Sequence, residues 1–244
     1  MRRGPALLLL ALASMAFASS GDEVPIARFS TAAPGEELPQ GWEKVELPYG
    51  NKSEFRIVEE GKSRVLQVRA QGSFGSVAYR LSAPVEKAPV LEWRWKVDRV
   101  VDKADIETKE GEDFAARVYV AFDYPEDELS TGERAKLKIA RAVQGFVPAA
   151  AICYVWDNKH PVGTSIWSPY FGHVRTMVVE SGAERAGQWV AEKRDVEADF
   201  IAAFGEQWRG KVPDISGVVV GNDTDQTGET VTAAFGDFRL AARK

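Results

Sequence analysis

Two aspartates separated by one residue follow an apolar run in the last part of the chain. Asp223 and Asp225 come after the run 215–220 and lie in the segment Asn-Asp-Thr-Asp-Gln-Thr-Gly at 222–228. Alternating oxygen side chains followed by glycine suit a hard cation such as Ca²⁺. An EF-hand is excluded, because Ala234 stands where its bidentate glutamate would be. The alternatives are a calcium site of another kind and a polar turn whose aspartates accept backbone amides.

Arg117 and Tyr119 form a second candidate constellation, within the apolar run 114–122. Alternation predicts a strand with these two side chains on one face and an apolar set on the other. The predicted apolar set is Phe114, Ala116, Val118, Val120 and Phe122. If the polar face lines a concavity, Arg117 can offer its fork of donors to a carboxylate or a sugar hydroxyl. The alternative is a structural ion pair with Asp223 or Asp225, since a charge within a sheet needs a partner.

Aromatic residues form the third group. Tyr154 and Trp156 lie on one face of a predicted strand, and Trp167 and Tyr170 lie in a loop that precedes Arg175. Together with Arg117, Arg175, Asp223 and Asp225, these rings could bind a carbohydrate or a similar polar ligand. The alternative for the rings is core filling, which better explains Trp93 and Trp95.

An acidic loop from Asp98 to Asp113 supplies further carboxylates. Paired carboxylates serve as acid and base in glycoside hydrolysis, but a charge run is usually a solvated loop. Asp113 is the member expected to reach inward, because it stands at the start of a strand. The histidines His160 and His173 are isolated, and no three-ligand zinc site is visible from spacing. No nucleophile-elbow, phosphate-loop or dinucleotide motif is present.

The elements that must position these residues are mostly strands. Apolar runs separated by turn residues predict an antiparallel, jelly-roll-like β-sandwich, mainly β in class. Two short inserted or capping helices are predicted: one follows a capping box of Ser130 and Glu133, and one runs from Val196 to Phe204 after Asp195. The helices do not alternate regularly with the strands, so a parallel α/β sheet is not expected.

The beginning of the chain predicts export. Arg2 and Arg3 precede an apolar stretch from Ala6 to Ala16, and small residues at 16 and 18 fit cleavage after Ala18. Residues 1–18 are therefore predicted to be a signal peptide, residues 19–244 one β-sandwich domain, and the product periplasmic or extracellular. The apolar stretch is shorter than the about 20 residues of a transmembrane helix. The formal net charge of -5 argues against a nucleic-acid binder, and the single Cys153 is expected to be a small buried hydrophobe.

Several separated segments resemble one family of exported bacterial proteins, the domain-of-unknown-function family 3047. The segments are Lys109–Val120, Tyr154–Trp156, Arg194–Val196 and Asp223–Gly228. The resemblance covers most of the chain after the leader but implies no activity. A weaker, fold-level likeness to jelly-roll domains of the galactose-binding kind rests on the ending Phe235-Gly236-Asp237-Phe238.

Three functions remain open on the sequence. The chain is a carbohydrate-binding module, or an enzyme acting on envelope polysaccharide through Asp113, Asp223 or Asp225, or a structural envelope protein without a small ligand. No cofactor other than the candidate Ca²⁺ is predicted. Convergence of Arg117, Arg175, Asp223 and Asp225 beside Trp156 in one pocket would favour a functional site at that place, whereas their scatter would contradict the predicted set of site residues.

Overall fold

The protein folds into two β-sheets packed face to face. The structure, a computed structural model, describes residues 23–35, 38–45, 48–205 and 207–243. The first sheet has seven strands in the order β1-β15-β7-β14-β5-β4, with β12 also paired to β7. Its strands are β1 (Glu23–Val24), β4 (Glu54–Glu60), β5 (Ser63–Gln71), β7 (Val90–Val97), β12 (Val190–Asp195), β14 (Thr230–Phe235) and β15 (Arg239–Ala241).

The second sheet has eight strands in the order β10-β11-β9-β8-β13-β6-β2, with β3 also paired to β6. Its strands are β2 (Trp42–Val45), β3 (Asn51–Lys52), β6 (Ser73–Ala83), β8 (Phe114–Phe122), β9 (Ala150–Asp157), β10 (Ser165–Trp167), β11 (Val174–Ser181) and β13 (Ile215–Asp223). Among the described residues the pairings are antiparallel, except those of β9 with β11 and of β3 with β6. The mainly β, jelly-roll-like sandwich predicted from the sequence is confirmed.

The main core lies between the sheets, and strand alternation explains how it is filled. In β7, Trp93 and Trp95 point inward and are at most 4% exposed. They meet side chains of β9 across the core: Trp93 stacks on Tyr154 with ring centroids 5.5 Å apart, and Trp95 lies 5.9 Å from Trp156. The core-filling role predicted for Trp93 and Trp95 is therefore confirmed.

A β-bulge interrupts the alternation predicted for β8. Its register with β13 pairs Arg117 with Gly221 but Phe114 with Asp223, so β8 advances three residues while β13 advances two. The extra residue turns Phe114 to the opposite face, where it packs with Cys153 and Val155. The prediction that Phe114 shares the face of Val118 is wrong for this reason, whereas Ala116, Val118, Val120 and Phe122 do contribute to the main core.

The two helices begin where their capping residues predicted. Helix α1 (Thr131–Gln144) has the capping box of Ser130 and Glu133, and helix α2 (Val196–Phe204) is capped by Asp195, whose carboxylate accepts the Ala198 amide at 3.0 Å. Helix α2 packs against the core, since the Phe200 ring lies 4.7 Å from that of Phe122. Helix α1 buries only Leu137, so it is loosely held on the outside of the sandwich.

The last apolar run of the chain is divided between β14 and β15. The break falls at Gly236 and Asp237, where the Asp237 carboxylate accepts the Ser30 amide at 2.9 Å and so holds the N-terminal segment. The predicted signal peptide at 1–18 lies outside the described residues. Within the described residues, no helix has the length and apolar character needed to cross a membrane.

Candidate functional site

A cleft of 790 Å³ lies on the outer face of the eight-stranded sheet, on the side away from the main core. This volume is within the range of small-molecule sites, about 300–1,000 Å³. Side chains of β8, β13 and β6 form its floor, helix α1 and the segment after it form one wall, and the loop between β10 and β11 forms another. Residues on the floor and walls include Phe74, Glu112, Arg117, Tyr119, Glu133, Leu137, Phe146, Ser168, Tyr170, Phe171, His173, Val219, Asp223 and Asp225.

Arg117 and Asp223 form a buried ion pair in the floor. The Nη1 atom of Arg117 lies 2.9 Å from Oδ2 of Asp223, and both side chains are less than a tenth exposed. The guanidinium also lies over the rings of Phe74 and Tyr119, 4.8 and 5.5 Å from their centroids. Within the described residues, Nε and Nη2 of Arg117 are buried without a hydrogen-bond acceptor. The structural ion pair expected as one alternative is therefore present, and it lies in a cleft.

The segment 222–228 forms a capped turn at one end of the cleft. The Asp113 carboxylate accepts the Thr227 amide at 2.7 Å, and the Asp223 carboxylate accepts the Asp225 amide at 3.3 Å. One carboxylate oxygen from each of Asp113, Asp223 and Asp225 lies within 4.8 Å of the other two. Folding thus adds Asp113 to the candidate cation pair. The hydrogen bonds and the Arg117 ion pair already account for Asp113 and Asp223 as turn-forming groups.

Glu112 is a site residue that the sequence interpretation missed, because it was assigned to a solvated acidic loop. Its carboxylate accepts the Ser168 hydroxyl at 2.7 Å, and the same hydroxyl oxygen accepts the Tyr170 amide at 3.2 Å. The Tyr170 hydroxyl donates to the Lys109 carbonyl at 2.8 Å. The acidic loop and the loop before β11 therefore hold each other in place. In the sequence, the one signal for Glu112 is that it directly precedes Asp113.

Burial changes the proton affinity of the cleft carboxylates. Burial raises the pKa of Glu112, although the Ser168 hydrogen bond opposes the shift. Burial also raises the pKa of Asp113, against the opposing hydrogen bonds from Thr227. Cys153, which is paired with Tyr119 on the neighbouring strand, is 1% exposed, and burial raises its pKa to about 12, as expected for a buried hydrophobe rather than a reactive thiol.

The two walls are joined at the far end of the cleft by a contact between His173 and Glu133. The Nδ1 atom of His173 lies 3.1 Å from Oε1 of Glu133 in the first turn of α1. Exposed rings surround the opening: Tyr170 and Phe171 are 41% and 42% exposed, and Tyr49 is 69% exposed. The cleft therefore combines accessible aromatic faces with a polar end of carboxylates and hydroxyls.

Tyr154 and Trp156 do not belong to the cleft. Register pairs Trp156 with Ala116 and Tyr154 with Val118, so both point into the main core, while Arg117 and Tyr119 point the other way. The Tyr154 hydroxyl donates to Asp199 at 2.7 Å, and Nε1 of Trp156 donates to the Gly182 carbonyl at 3.0 Å. We correct the predicted ligand-facing role of these two residues accordingly: they fill the core.

Trp167 and Arg175 face each other on neighbouring strands at the edge of the sheet. They are paired in register, and the guanidinium lies 4.8 Å from the Trp167 ring centroid. Nε of Arg175 donates to the Ser165 hydroxyl at 2.8 Å, and Trp167 packs edge-on against Phe204. Neither residue lines the cleft. Of the predicted constellation, the structure brings together Asp113, Arg117, Tyr119, Tyr170, Asp223 and Asp225. The predicted convergence of these groups with Arg175 beside Trp156 is wrong, because Arg175 lies at the edge of the sheet and Trp156 lies in the main core.

Several solved structures have an architecture similar to this chain. The xyloglucanase domain of NopAA, a type three effector from Sinorhizobium fredii, is 10% identical, covers 87% of this chain and 99% of its own, and has a TM-score of 0.46. The endoglucanase cel12A from Rhodothermus marinus is 8% identical, covers 84% and 92%, and has a TM-score of 0.44. A family 30 carbohydrate-binding module from Clostridium thermocellum is 10% identical, covers 89% and 98%, and has a TM-score of 0.38. Sequence identities and TM-scores this low do not allow an activity to be assigned to this chain from these structures.

Curated proteins give no match to the sequence. A family model does match it, over residues 40–239, which include every residue placed in the cleft above. The predicted family resemblance is therefore confirmed. The chain belongs to the family described as protein of unknown function DUF3047.

Proposed function

We propose that this protein is an exported binding module that holds a neutral carbohydrate, or a similarly polar ligand, in the cleft on the eight-stranded sheet. The observation that carries the proposal is the arrangement at one end of the cleft. There the exposed rings of Tyr170 and Phe171 lie on the same loop as the Ser168 hydroxyl, which is bonded to Glu112. A sugar ring needs this pairing of an apolar surface for its C–H face with carboxylates and hydroxyls for its hydroxyl groups.

The charge of the cleft favours a neutral sugar over an acidic one. Glu112, Asp223 and Asp225 line the cleft together with Arg117, whose Nη1 is already paired with Asp223, and Asp113 lies beside the two aspartates. An added carboxylate would meet like charges at this end, which disfavours its binding. Carboxylates accept hydrogen bonds from sugar hydroxyls without this cost.

The binding experiment titrates the protein by calorimetry with soluble oligosaccharides from β-glucan, xylan and chitin, and with an oligosaccharide of uronic acids. We expect one neutral series to bind, and the uronic acids to bind at least about tenfold more weakly, equivalent to about 1.4 kcal/mol. Tyr170→Ala should weaken binding by about tenfold, equivalent to about 1.4 kcal/mol, since it removes the apolar ring area that a bound sugar would cover. The matched control is Trp189→Ala, because Trp189 lies against Arg94 on the other sheet.

Binding that is equally strong in Tyr170→Ala and in the unmodified protein would contradict the proposed site. Preference for the uronic acids would contradict the proposed ligand class. If no oligosaccharide binds, the carbohydrate proposal fails as a whole, and the structural envelope protein becomes the better hypothesis.

Export is proposed from the leader alone. Cleavage after Ala18 would leave Ser19 as the first residue. Mass spectrometry of the protein recovered from the periplasm or medium of an expressing bacterium should find that N-terminus. Recovery of the uncleaved chain from the cytoplasm would contradict it.

A second candidate function, hydrolysis of a glycosidic bond, is favoured by one observation. Burial raises the pKa of Glu112 inside the cleft, and a glycosidase acid needs a raised pKa. The carboxylates first predicted for this role fit it less well. One oxygen from each of Asp113, Asp223 and Asp225 lies within 4.8 Å of the others, which makes a tight cluster, whereas the carboxyl groups of glycosidase pairs are roughly 5–9.5 Å apart. Release of new reducing ends from a bound oligosaccharide, lost in Glu112→Gln, would support hydrolysis over binding alone.

A further inference from the structure

Folding brings one histidine and two carboxylates together outside the cleft, in residues that the proposed function does not use. His160 follows β9, and Asp105 and Glu107 belong to the acidic loop before β8. One potential ligand atom from each of the three lies within 4.8 Å of the others. Sequence spacing did not suggest this group, because 53 to 55 residues separate the histidine from the acids. Folding closes that distance through the turn that ends β9.

A buried carboxylate stands behind the histidine. Oδ1 of Asp157 lies 3.1 Å from Nδ1 of His160, and the Asp157 side chain is 0% exposed. The same Oδ1 accepts the backbone amides of Lys159 and His160, at 2.8 and 2.6 Å, which fixes the turn. When Nδ1 of His160 is protonated, its N–H donates a hydrogen bond to the Asp157 carboxylate. Nε2 then carries a lone pair that is free to bind a metal ion. Metal-binding histidines are held in this way by carboxylates.

Two buried acceptors in the same turn have no donor among the described residues. They are Oδ2 of Asp157 and Oδ1 of Asn158. Nδ2 of Asn158 donates to the carbonyls of Asp102 and Ala104, both at 3.0 Å, and so holds the acidic loop against the turn. Buried oxygens left without donors are costly, and positive charge bound at the imidazole that contacts Asp157 would offset part of that cost.

We propose that His160, Asp105 and Glu107 bind a divalent metal ion of the zinc class. One imidazole and two carboxylates form a three-ligand set that leaves a fourth position for water, and Asp157 orients the imidazole. Glu107 is exposed and His160 is partly exposed, so an ion has a path of entry. Bound metal would clamp the loop that carries Glu112 and Asp113 to the turn after β9.

Lys159 gives the proposal a specific signature. Its Nζ atom lies 2.9 Å from Oδ2 of Asp105 and forms an ion pair with it. The ammonium group therefore competes with the metal ion for the Asp105 carboxylate. Removing this competing charge should strengthen metal binding, whereas removing an ordinary surface lysine should not. Lys159→Ala is therefore expected to bind zinc more tightly than the unmodified protein.

The test is a calorimetric titration of chelator-treated protein with zinc chloride, with the zinc content after dialysis measured by mass spectrometry. We expect one zinc per chain, loss of that binding in His160→Gln, and at least tenfold weaker binding in Glu107→Gln. Glu110→Gln is the matched control, since Glu110 is an exposed glutamate of the same loop outside the group. When cobalt replaces zinc, the bound ion should show the visible absorption of a four-coordinate ion. Asp157→Asn should weaken zinc affinity by about 10- to 100-fold, because the carboxylate that orients His160 is lost.

Folding of each variant is checked by its thermal unfolding in the presence of chelator, so that a failure to fold is not counted as lost binding. The His160 side chain is 17% exposed and that of Asp157 is 0% exposed, so His160→Gln is the milder change and serves as the primary variant if Asp157→Asn unfolds. Absence of zinc from the unmodified protein overturns the proposal. Zinc binding by His160→Gln as tight as that of the unmodified protein also overturns it. So does a loss of zinc affinity in Glu110→Gln as large as that in Glu107→Gln. These outcomes are read from zinc binding alone, so failure of the metal proposal is distinguished from failure of oligosaccharide binding in the cleft.

Discussion

Arg117 of β8 and Asp223 of β13 form a nearly fully buried ion pair, 2.9 Å from Nη1 to Oδ2, in the floor of the cleft. The pair connects two neighbouring strands at the point where β8 bulges, so that the carboxylate of β13 meets the guanidinium. Gly221 lies opposite Arg117, and a Cβ there would come within 2.1 Å of the Gly75 carbonyl oxygen. The close approach of β13 and β6 beneath the cleft therefore requires glycine at 221.

Removing one partner of the buried pair should be severely destabilising. Arg117→Ala leaves Asp223 without its counter-ion, and we expect a loss of about 3–5 kcal/mol in the free energy of unfolding, measured in urea. The control is Arg56→Ala, because Arg56 and Glu54 are both more than half exposed, and such pairs contribute less than about 1 kcal/mol. A double variant, Arg117→Met with Asp223→Asn, should recover part of the loss. An Arg117→Ala protein as stable as Arg56→Ala would contradict the structural role of the pair.

Trp156 should matter for stability and not for ligand binding. It is 1% exposed in the main core, and Trp156→Ala should cost about 3–5 kcal/mol in unfolding free energy. Trp156→Phe keeps most of the ring volume, so it provides a folded protein for calorimetric titration with the oligosaccharide that binds. We expect its affinity to equal that of the unmodified protein. Weaker oligosaccharide binding by Trp156→Phe at unchanged stability would contradict this prediction and would indicate that Trp156 takes part in ligand binding.

The stability of the protein should depend on pH through Glu112. Burial raises its pKa in the folded state above the ordinary value of 4.5. The folded state therefore binds the proton more tightly than the unfolded state does. This tighter binding stabilises the folded protein below pH 4.5, and the stabilisation is lost as the pH rises through the folded-state pKa. Glu112→Gln, which is always neutral, should gain stability relative to the unmodified protein over that interval.

The measurement is the difference in unfolding free energy between Glu112→Gln and the unmodified protein, from urea titrations between pH 4 and 8. Glu110→Gln is the control, because Glu110 is exposed in the same loop. A difference that shrinks as the pH rises would show that the pKa of Glu112 is lowered on folding, opposite to the expected shift.

The wall formed by α1 should depend on its N-terminal cap. The Ser130 hydroxyl accepts the Glu133 amide at 3.3 Å, and the Glu133 carboxylate accepts the Ser130 amide at 2.9 Å. Ser130→Ala should destabilise the helix by about 0.5–2 kcal/mol. Hydrogen exchange of the amides in Thr131–Gln144 should accelerate, while exchange in β8 should not change, because α1 packs on the core only through Leu137. Ser130→Thr keeps the hydroxyl and should leave the exchange rates nearly unchanged.

Local patterns were sufficient to predict most of the elements and the class of fold. The alternation around Trp93 and Trp95 identified a core-facing strand, and the capping box identified α1, because the signals of a strand face and a helix start lie within a few residues. The polar face of Arg117 and Tyr119 was predicted from the same alternation. The bulge that turns Phe114 was not, since it depends on how β13 pairs with β8.

The sequence by itself determined the sandwich, its two helices and the groups able to make polar contacts, because periodicity and capping are properties of short segments. The tertiary structure decided which of those groups meet. It placed Tyr154 and Trp156 on the opposite face of the sheet from Arg117, and it brought Glu112 to Ser168 across 56 residues. The physical reason is that strand pairing and loop packing join distant segments, and a one-residue change in register moves a side chain from one face of a sheet to the other.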